Sequence, residues 1–590
     1  MPRLMIDDIP VEVAQGTTIL DAAQRIGARI PTLCYLAGVQ AIGACRVCVV
    51  EVEGAKTLTA SCVTPVQDGM NVHTNTRRVR EARRQVVELL LSEHDGDCQT
   101  CERNNDCELQ SLAHELGIRE LHYEGKKAKA RVDSSTPALV RDNAKCIKCR
   151  RCVAVCSEIQ GVGALFPQGR GFDMTIGPAF ASPLDEVVCV QCGQCAAVCP
   201  VGAIREVGHG DEVWKALDDP DTTVVVQTAP AIRSALGECF GLPPGTLVTG
   251  KMAAALRRMG FDRVYDTNFT ADLTIIEEGM EFLSRLKQAL AEGKEVPLPQ
   301  FTSCCPAWIK FAEHFYPELL GHISSCKSPQ QMFGPLAKTY LAEKMGVPPE
   351  KLHVVSVMPC IAKKYEAQRP EMAASGMRDV DTVLTTRELG ALIKQSGIEF
   401  TALQDEPMDR LLGISSGAAD IFANTGGVME AALRTVYEVI TDRPLPVDNL
   451  HVSPIAGLEG IKTTALTIHD TQPEWAFLEG VTVQVAVVHG LANARRLLDK
   501  IASGEMEYHF VEVMACPGGC IGGAGQPRLT TDDIREKRMA AIYKEDDSKN
   551  LRKSHDNPKI KQIYGEFLKF PLGKLSHQLL HTAYVHRGRV

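Results

Sequence analysis

A chain of 590 residues exceeds what one hydrophobic core supports, so several domains are expected. Its 45% hydrophobic and 23% charged residues suit a globular protein, and a formal charge of -9 provides no field to hold nucleic acid or an anionic membrane. No run of about 18 apolar residues offers a spanning helix, and Met1 to Ile30 reads as strands and a helix rather than a leader, which predicts a cytoplasmic protein.

The 22 cysteines call for metal or redox chemistry, because a leaderless chain meets no oxidising compartment that would pair them. Leu4 to Val13 alternates like a hairpin, the helix-like TILDAAQRIGA follows, and then come Cys34, Cys45, Cys48 and Cys62. With Gly43 and Ala44 letting the backbone wrap closely, this spacing suits a [2Fe–2S] cluster in a ferredoxin-like β-grasp domain over residues 1–78; a structural zinc site is the alternative. Residues 79–125 carry Cys98, Cys101 and Cys107, three thiolates for a cluster that needs four ligands. His94 stands nearest, either as the fourth ligand or as an ordinary surface histidine.

Residues 138–209 repeat one pattern, C-x-x-C-x-x-C-x-x-x-C, first at Cys146, Cys149, Cys152 and Cys156, then at Cys189, Cys192, Cys195 and Cys199, now followed by Pro200. In two-cluster ferredoxins the fourth cysteine of each run serves the other cluster. Cys146, Cys149, Cys152 and Cys199 are therefore expected at one [4Fe–4S], and Cys189, Cys192, Cys195 and Cys156 at a second. The link Gly161 to Gly177 reads as a loop insertion. From residue 210 to 590, strand-like runs such as TTVVVQTAP, KLHVVSVMPC and VTVQVAVVHG alternate with helical stretches such as LANARRLLDKIAS, which predicts an α/β domain with mostly parallel pairing. Neither a G-x-G-x-x-G after a strand nor a P-loop is present. The whole is expected to be multidomain, α+β in front and α/β behind.

Three loops hold the remaining chemistry: TSCCPAW at Thr302 to Trp308, MPCIAKKYE at Met358 to Glu366, and EVMACPGGCIGGAGQP at Glu512 to Pro527. Together, and in order with the cysteine groups upstream, they resemble the active-site signatures of the long, modular [FeFe]-hydrogenases. The resemblance implies reversible hydrogen oxidation and proton reduction at an H-cluster, a [4Fe–4S] joined to a two-iron unit with CO, cyanide and dithiolate ligands. It assigns Cys305, Cys360, Cys516 and Cys520 to the cubane, and Ala229, Pro230, Ala231, Gln330, Met358 and Met514 to the pocket, with Lys363 facing a cyanide. One [2Fe–2S] and three accessory [4Fe–4S] clusters would relay electrons, with His94 a ligand of the [4Fe–4S] in residues 79–125.

Cys304 is left over from ligation, and Glu278 and Glu281 share one helix face in TADLTIIEEGMEFLSRL. With Ser324 these match the family's proton relay, whereas without the signatures the glutamates would read as a solvated face. Ala524, Ala423 and Asn424 depart from the family pattern, and Cys239 and Cys326 read as buried small apolar residues, Cys326 being near enough in sequence to approach the cluster. The expected partners are dihydrogen and protons, ferredoxin or flavin- and NAD(P)-binding subunits, and maturation proteins. An electron-transfer subunit like that of NADH:quinone oxidoreductases, and a hydrogen sensor, are the alternatives.

Overall fold

The computed structural model describes residues 1–127, 131–447, 450–452 and 455–588. At the N-terminus, β1 (Arg3–Ile6), β2 (Ile9–Glu12), β3 (Val49–Val52), β4 (Thr59–Ala60) and β5 (Asn71–His73) form one sheet in the order β2-β1-β5-β3-β4. The expected hairpin is β1 against β2, antiparallel, while β1 and β5 pair in parallel. The helix Ile19–Arg25 begins where the Thr18 hydroxyl accepts the Asp21 N–H, a serviceable N-cap. It buries Ile19, Leu20, Ala22 and Ala23 on the sheet. A helix over Arg77–Glu93 then leads to His94 at its C-terminus.

The repeated segment is built around β6 (Val132–Asp133), β7 (Leu139–Asp142) and β10 (Ile204–Glu206), an antiparallel sheet in the order β10-β7-β6. The Gly-rich link is not simply a loop: it folds into a hairpin of β8 (Phe166–Gln168) and β9 (Thr175–Gly177). The two runs adopt one backbone conformation. Lys148 and Arg150 in the first and Gln191 and Gly193 in the second, at matching offsets, all have positive φ, which non-glycine residues adopt only where the surroundings require it.

The remaining chain folds on two four-stranded sheets. The first runs β12 (Arg263–Asp266), β11 (Thr223–Thr228), β14 (Leu352–Met358), β15 (Thr382–Thr385), parallel throughout. The second runs β13 (Gln300–Phe301), β18 (Phe510–Met514), β17 (Thr482–His489), β16 (Ile461–Thr467), with only β16 antiparallel. Their strands are buried Val-rich runs, as parallel strands covered on both faces must be. The three signature loops leave the C-terminal ends of β13, β14 and β18, where α/β sheets present their sites. A C-terminal helix, Asp532–Ser548, and the segment after it pack back over this domain.

Candidate active site

Each cysteine group draws together. Cys48 and Cys62 have their sulfurs 3.3 Å apart, and Cys45 N–H donates to Cys34 Sγ at 3.4 Å. In the repeated segment two cavities appear, one lined by Cys146, Cys149, Cys152 and Cys199 and the other by Cys156, Cys189, Cys192 and Cys195. These are the crossed sets expected from the sequence. Burial and the neighbouring thiols push the Cys149 thiol up to about 12 and Cys156 up to about 11, so a cation must supply the charge that lets these sulfurs ionise together. His94 is buried, its Nδ1 accepts the Gly96 N–H at 3.0 Å, and its Nε2 has no partner. A buried nitrogen without a partner is costly, and it fits a metal. Were a metal held at Nε2, the ring proton would sit on Nδ1 and the Gly96 N–H would turn aside.

Behind these lies a partly open cavity of about 80 Å³. Cys304, Cys305, Cys360, Cys516 and Cys520 all line it, together with Ala229, Pro230, Ala231, Gln330, Met358, Lys363 and Met514. The pocket wall therefore collects every pocket residue expected from the signatures. Thr267, Ala271 and Phe422 complete it and carry no sequence signal. A Cβ at Gly519, whose φ is +87°, would stand 2.6 Å from Thr425 N; only glycine lets that loop pass.

The loops are fixed against one another. Arg233, just past the Ala229–Ala231 turn, is fully buried and donates to Asp420 Oδ1 at 2.7 Å and Asp266 Oδ1 at 2.9 Å. Gln526 donates to Ala231 O at 3.0 Å, and Gly525 N to Pro359 O at 2.8 Å. Lys363 Nζ reaches Cys304 O at 3.0 Å and Glu366 Oε2 at 2.9 Å. Burial opposes its charge, but the Glu366 carboxylate prevails and raises its pKa, so it stays an ammonium. The same Glu366 oxygen accepts from Ser328 and Gln330. Glu366 follows Lys363 by three residues within the second signature loop, and one helical turn was the signal that could have found it.

The relay residues are not a solvated face. Glu278 is buried with both carboxylate oxygens unpartnered. Burial, then the Glu281 charge, pushes it up to about 8, so at neutral pH it holds a proton. The Cys304 thiol is raised well above its ordinary value by burial and by Glu278. Ser324 Oγ donates to Glu281 Oε2 at 2.8 Å, and Glu281 Oε1 takes Arg285 at 2.7 Å. Beyond Glu281 a pocket lined by Arg285, Gln288, Ser325 and His577 opens toward solvent.

Three expectations need correction or completion. Cys326 is buried in the hydrophobic core as expected, with its sulfur also 4.0 Å from Glu281 Oε2 and from His581 Nδ1, but it lines no part of the cysteine pocket. Cys239 is only half-buried, and its sulfur lies where a Cβ on Gly390 would meet it. Ala524, Ala423 and Asn424 do not line the pocket either. Ala524 meets Gly193 of the second ferredoxin run, and Asn424 Nδ2 reaches Met539 O at 3.4 Å, so those departures bear on how neighbouring segments pack.

Among family models, the C-terminal domain of the iron-only hydrogenase large subunit matches residues 222–524 and the iron hydrogenase small subunit matches 532–587. Upstream, a 2Fe-2S cluster-binding domain matches 2–77, the iron-sulfur binding region of NADH-ubiquinone oxidoreductase-G 83–122, and a 4Fe-4S dicluster domain 145–203. The chain is 51% identical to the HndD subunit of an NADP-reducing hydrogenase of Solidesulfovibrio fructosivorans, covering 100% of both chains. It is 38% identical to iron hydrogenase 1 of Clostridium pasteurianum, over 99% of this chain and 100% of that one. A solved [FeFe]-hydrogenase structure from Chlamydomonas reinhardtii superposes with a TM-score of 0.59 at 44% identity, covering 65% of this chain and 100% of the other. With the large-subunit domain, the small-subunit segment and the iron–sulfur domains all matched in one chain, the protein belongs to the iron-only, or [FeFe], hydrogenase family.

Proposed function

We infer that this protein interconverts dihydrogen with protons and electrons, using an H-cluster gripped by Cys305, Cys360, Cys516 and Cys520. The observation that carries this is the convergence of five cysteines from three loops on one pocket. The glycines at its rim and the Lys363 ammonium suit a bulky cluster bearing anionic ligands. When bound, that cluster supplies the site at which dihydrogen is split or formed.

The chain's own residues do the rest. Cys304, a neutral thiol in the pocket, exchanges a proton with Glu278. Glu278 passes it through the Ser324 hydroxyl to Glu281, and Arg285 holds Glu281 at the exit. Electrons travel through the cavity of Cys156, Cys189, Cys192 and Cys195, whose lining residues Gln194 and Gln160 donate to Gly522 O at 3.2 Å and to Ala515 O at 3.0 Å, so that cluster lies against the loop carrying Cys516 and Cys520. We read the N-terminal sheet as a β-grasp holding a [2Fe–2S], His94 as the fourth ligand of a [4Fe–4S], and the crossed cysteine sets as two more. The likeness to an NADP-reducing hydrogenase subunit favours flavin- and NAD(P)-binding partner subunits in the cytoplasm, with ferredoxin the other electron carrier and maturation proteins the source of the two-iron unit.

Infrared spectroscopy of the anaerobically matured chain tests the reading. Stretching bands of CO and cyanide are expected, and a fully loaded, active preparation without them would overturn it.

A further inference from the structure

At the exit of the proton path Glu281 stands beside two side chains that the relay does not use. Glu281 Oε2, Cys326 Sγ and His581 Nδ1 all lie within 4.8 Å of one another, with both sulfur contacts at 4.0 Å. Ser325 Oγ stands beside them, 2.8 Å from His581 Nδ1 and 3.3 Å from Glu281 Oε2. His581 comes from the C-terminal segment and Cys326 from the loop after the first signature, so neither local sequence nor helix geometry alone brings them together.

The imidazole is set up as a ligand. Its Nε2 faces Glu277 Oε2 at 3.2 Å. Burial works against the Glu277 charge, but hydrogen bonds from His581, Ser576 and Tyr564 outweigh it and keep Glu277 a carboxylate. A carboxylate on Nε2 holds the ring proton there and leaves Nδ1 a bare acceptor, taken by the Ser325 hydroxyl at 2.8 Å with Cys326 and Glu281 beside it, the outer-shell arrangement that orients metal-bound histidines. Glu281 is oriented too, since Arg285 occupies Oε1 and Oε2 is the oxygen that faces the cluster.

We propose that Glu281, Cys326 and His581 form a binding site for a thiophilic divalent cation of the zinc class, and that its occupation closes the proton exit. One sulfur, one nitrogen and one carboxylate oxygen suit such an ion. Bond lengths of about 2.0–2.3 Å set ligand–ligand edges near 3.3–3.6 Å, so the two sulfur edges need to close by about half an ångström and the Glu281–His581 edge, within 4.8 Å, by at most about 1.5 Å. Ser325 Oγ or water fills the fourth position. On binding, the Cys326 thiol gives its proton to solvent and its sulfur forms the metal bond. The ion enters through the open pocket at His577. It occupies Glu281 Oε2, the same oxygen that accepts the Ser324 hydroxyl, so proton transfer out of Glu278 stops while the cysteine pocket is untouched.

The proposal rests on the relay reading, and the test separates the two. Zinc chloride is titrated into the matured full-length chain during viologen-driven hydrogen evolution, each variant being normalised to its own uninhibited rate. Wild type should be inhibited in the micromolar range, reversibly with a chelator and with CO and cyanide bands unchanged. Cys326→Ser and His581→Gln, both conservative in shape, should each raise the half-inhibiting concentration at least tenfold. Zinc X-ray absorption of the same protein reads the site without turnover and should show one sulfur at about 2.3 Å with nitrogen and oxygen near 2.0–2.1 Å. Zinc bound with that signature but without inhibition would keep the site and sink the relay reading. Equal sensitivity in all three proteins, inhibition that tracks iron loss, or a zinc spectrum lacking sulfur would overturn the site.

Discussion

At the scale of single residues, burial sets the chemistry. Glu278 is the clearest case, since its carboxyl is raised to about 8 first by burial and then by Glu281. Its folded pKa lies above the unfolded carboxylate range, so its contribution to stability is full below that range and is lost as pH rises through about 8. Hydrogen evolution should lose its internal donor over the same alkaline limb. Glu281→Gln removes the second cause and leaves the first, so that limb should shift to lower pH in rate–pH profiles while activity falls; an unmoved limb would disconnect Glu278 from the rate. Cys304→Ala should reduce turnover by about 10² to 10⁴, the range for a lost proton-transfer group, with iron content and infrared bands retained. Failure of that variant to assemble its cluster would make Cys304 structural. These roles were legible only through the signatures, because two glutamates three apart on a helix read as solvent-facing until the packing of β13 and the Ser324 loop is known.

At the scale of elements, spacing was informative and orientation was not. The crossed cysteine sets could be read because C-x-x-C-x-x-C-x-x-x-C occurs twice, the pattern of two-cluster ferredoxins in which each run lends its fourth cysteine to the other cluster. The hairpin inside Gly161 to Gly177 was hidden by its glycines and by its short strands. Ala524 could be seen as a departure, but its contact with Gly193 could not, since nothing in either segment signals the other. Arg233 belongs here as well: it ties the Ala229–Ala231 turn to Asp420 and Asp266 across three elements. Arg233→Met leaves buried Asp266 without its cation and Asp420 with Lys549 alone, and a loss of about 3–5 kcal/mol is expected, visible as earlier melting of the catalytic domain with the N-terminal clusters still intact. His94→Ala should remove one cubane's paramagnetic signal and no other, and an unchanged spectrum would exclude His94 as a ligand.

At the scale of the whole molecule, the proposed scheme places all of the 22 cysteines except Cys239, Cys304 and Cys326 in five ligand sets, which with His94 predicts about 20 irons in the loaded chain. Iron analysis that settles near 8 to 10 would remove the five-cluster scheme. The absence of a nucleotide fingerprint predicts that the isolated chain reduces viologen or ferredoxin but turns over NAD(P)H only after partner subunits are added, and nicotinamide activity of the chain alone would refute this. The order of the segments also bears on synthesis. Cys520 is the last cysteine, whereas His581, Tyr584 and Arg587, which touch Ser325, Ser324 and Glu313, arrive in the final stretch of the chain. A protein made from its N-terminus therefore has every cluster ligand out of the ribosome before the wall over the proton exit exists. Translation itself leaves an interval in which the inner pocket is formed and its outer side is still open, and a chain stopped short of residue 581 would remain in that state.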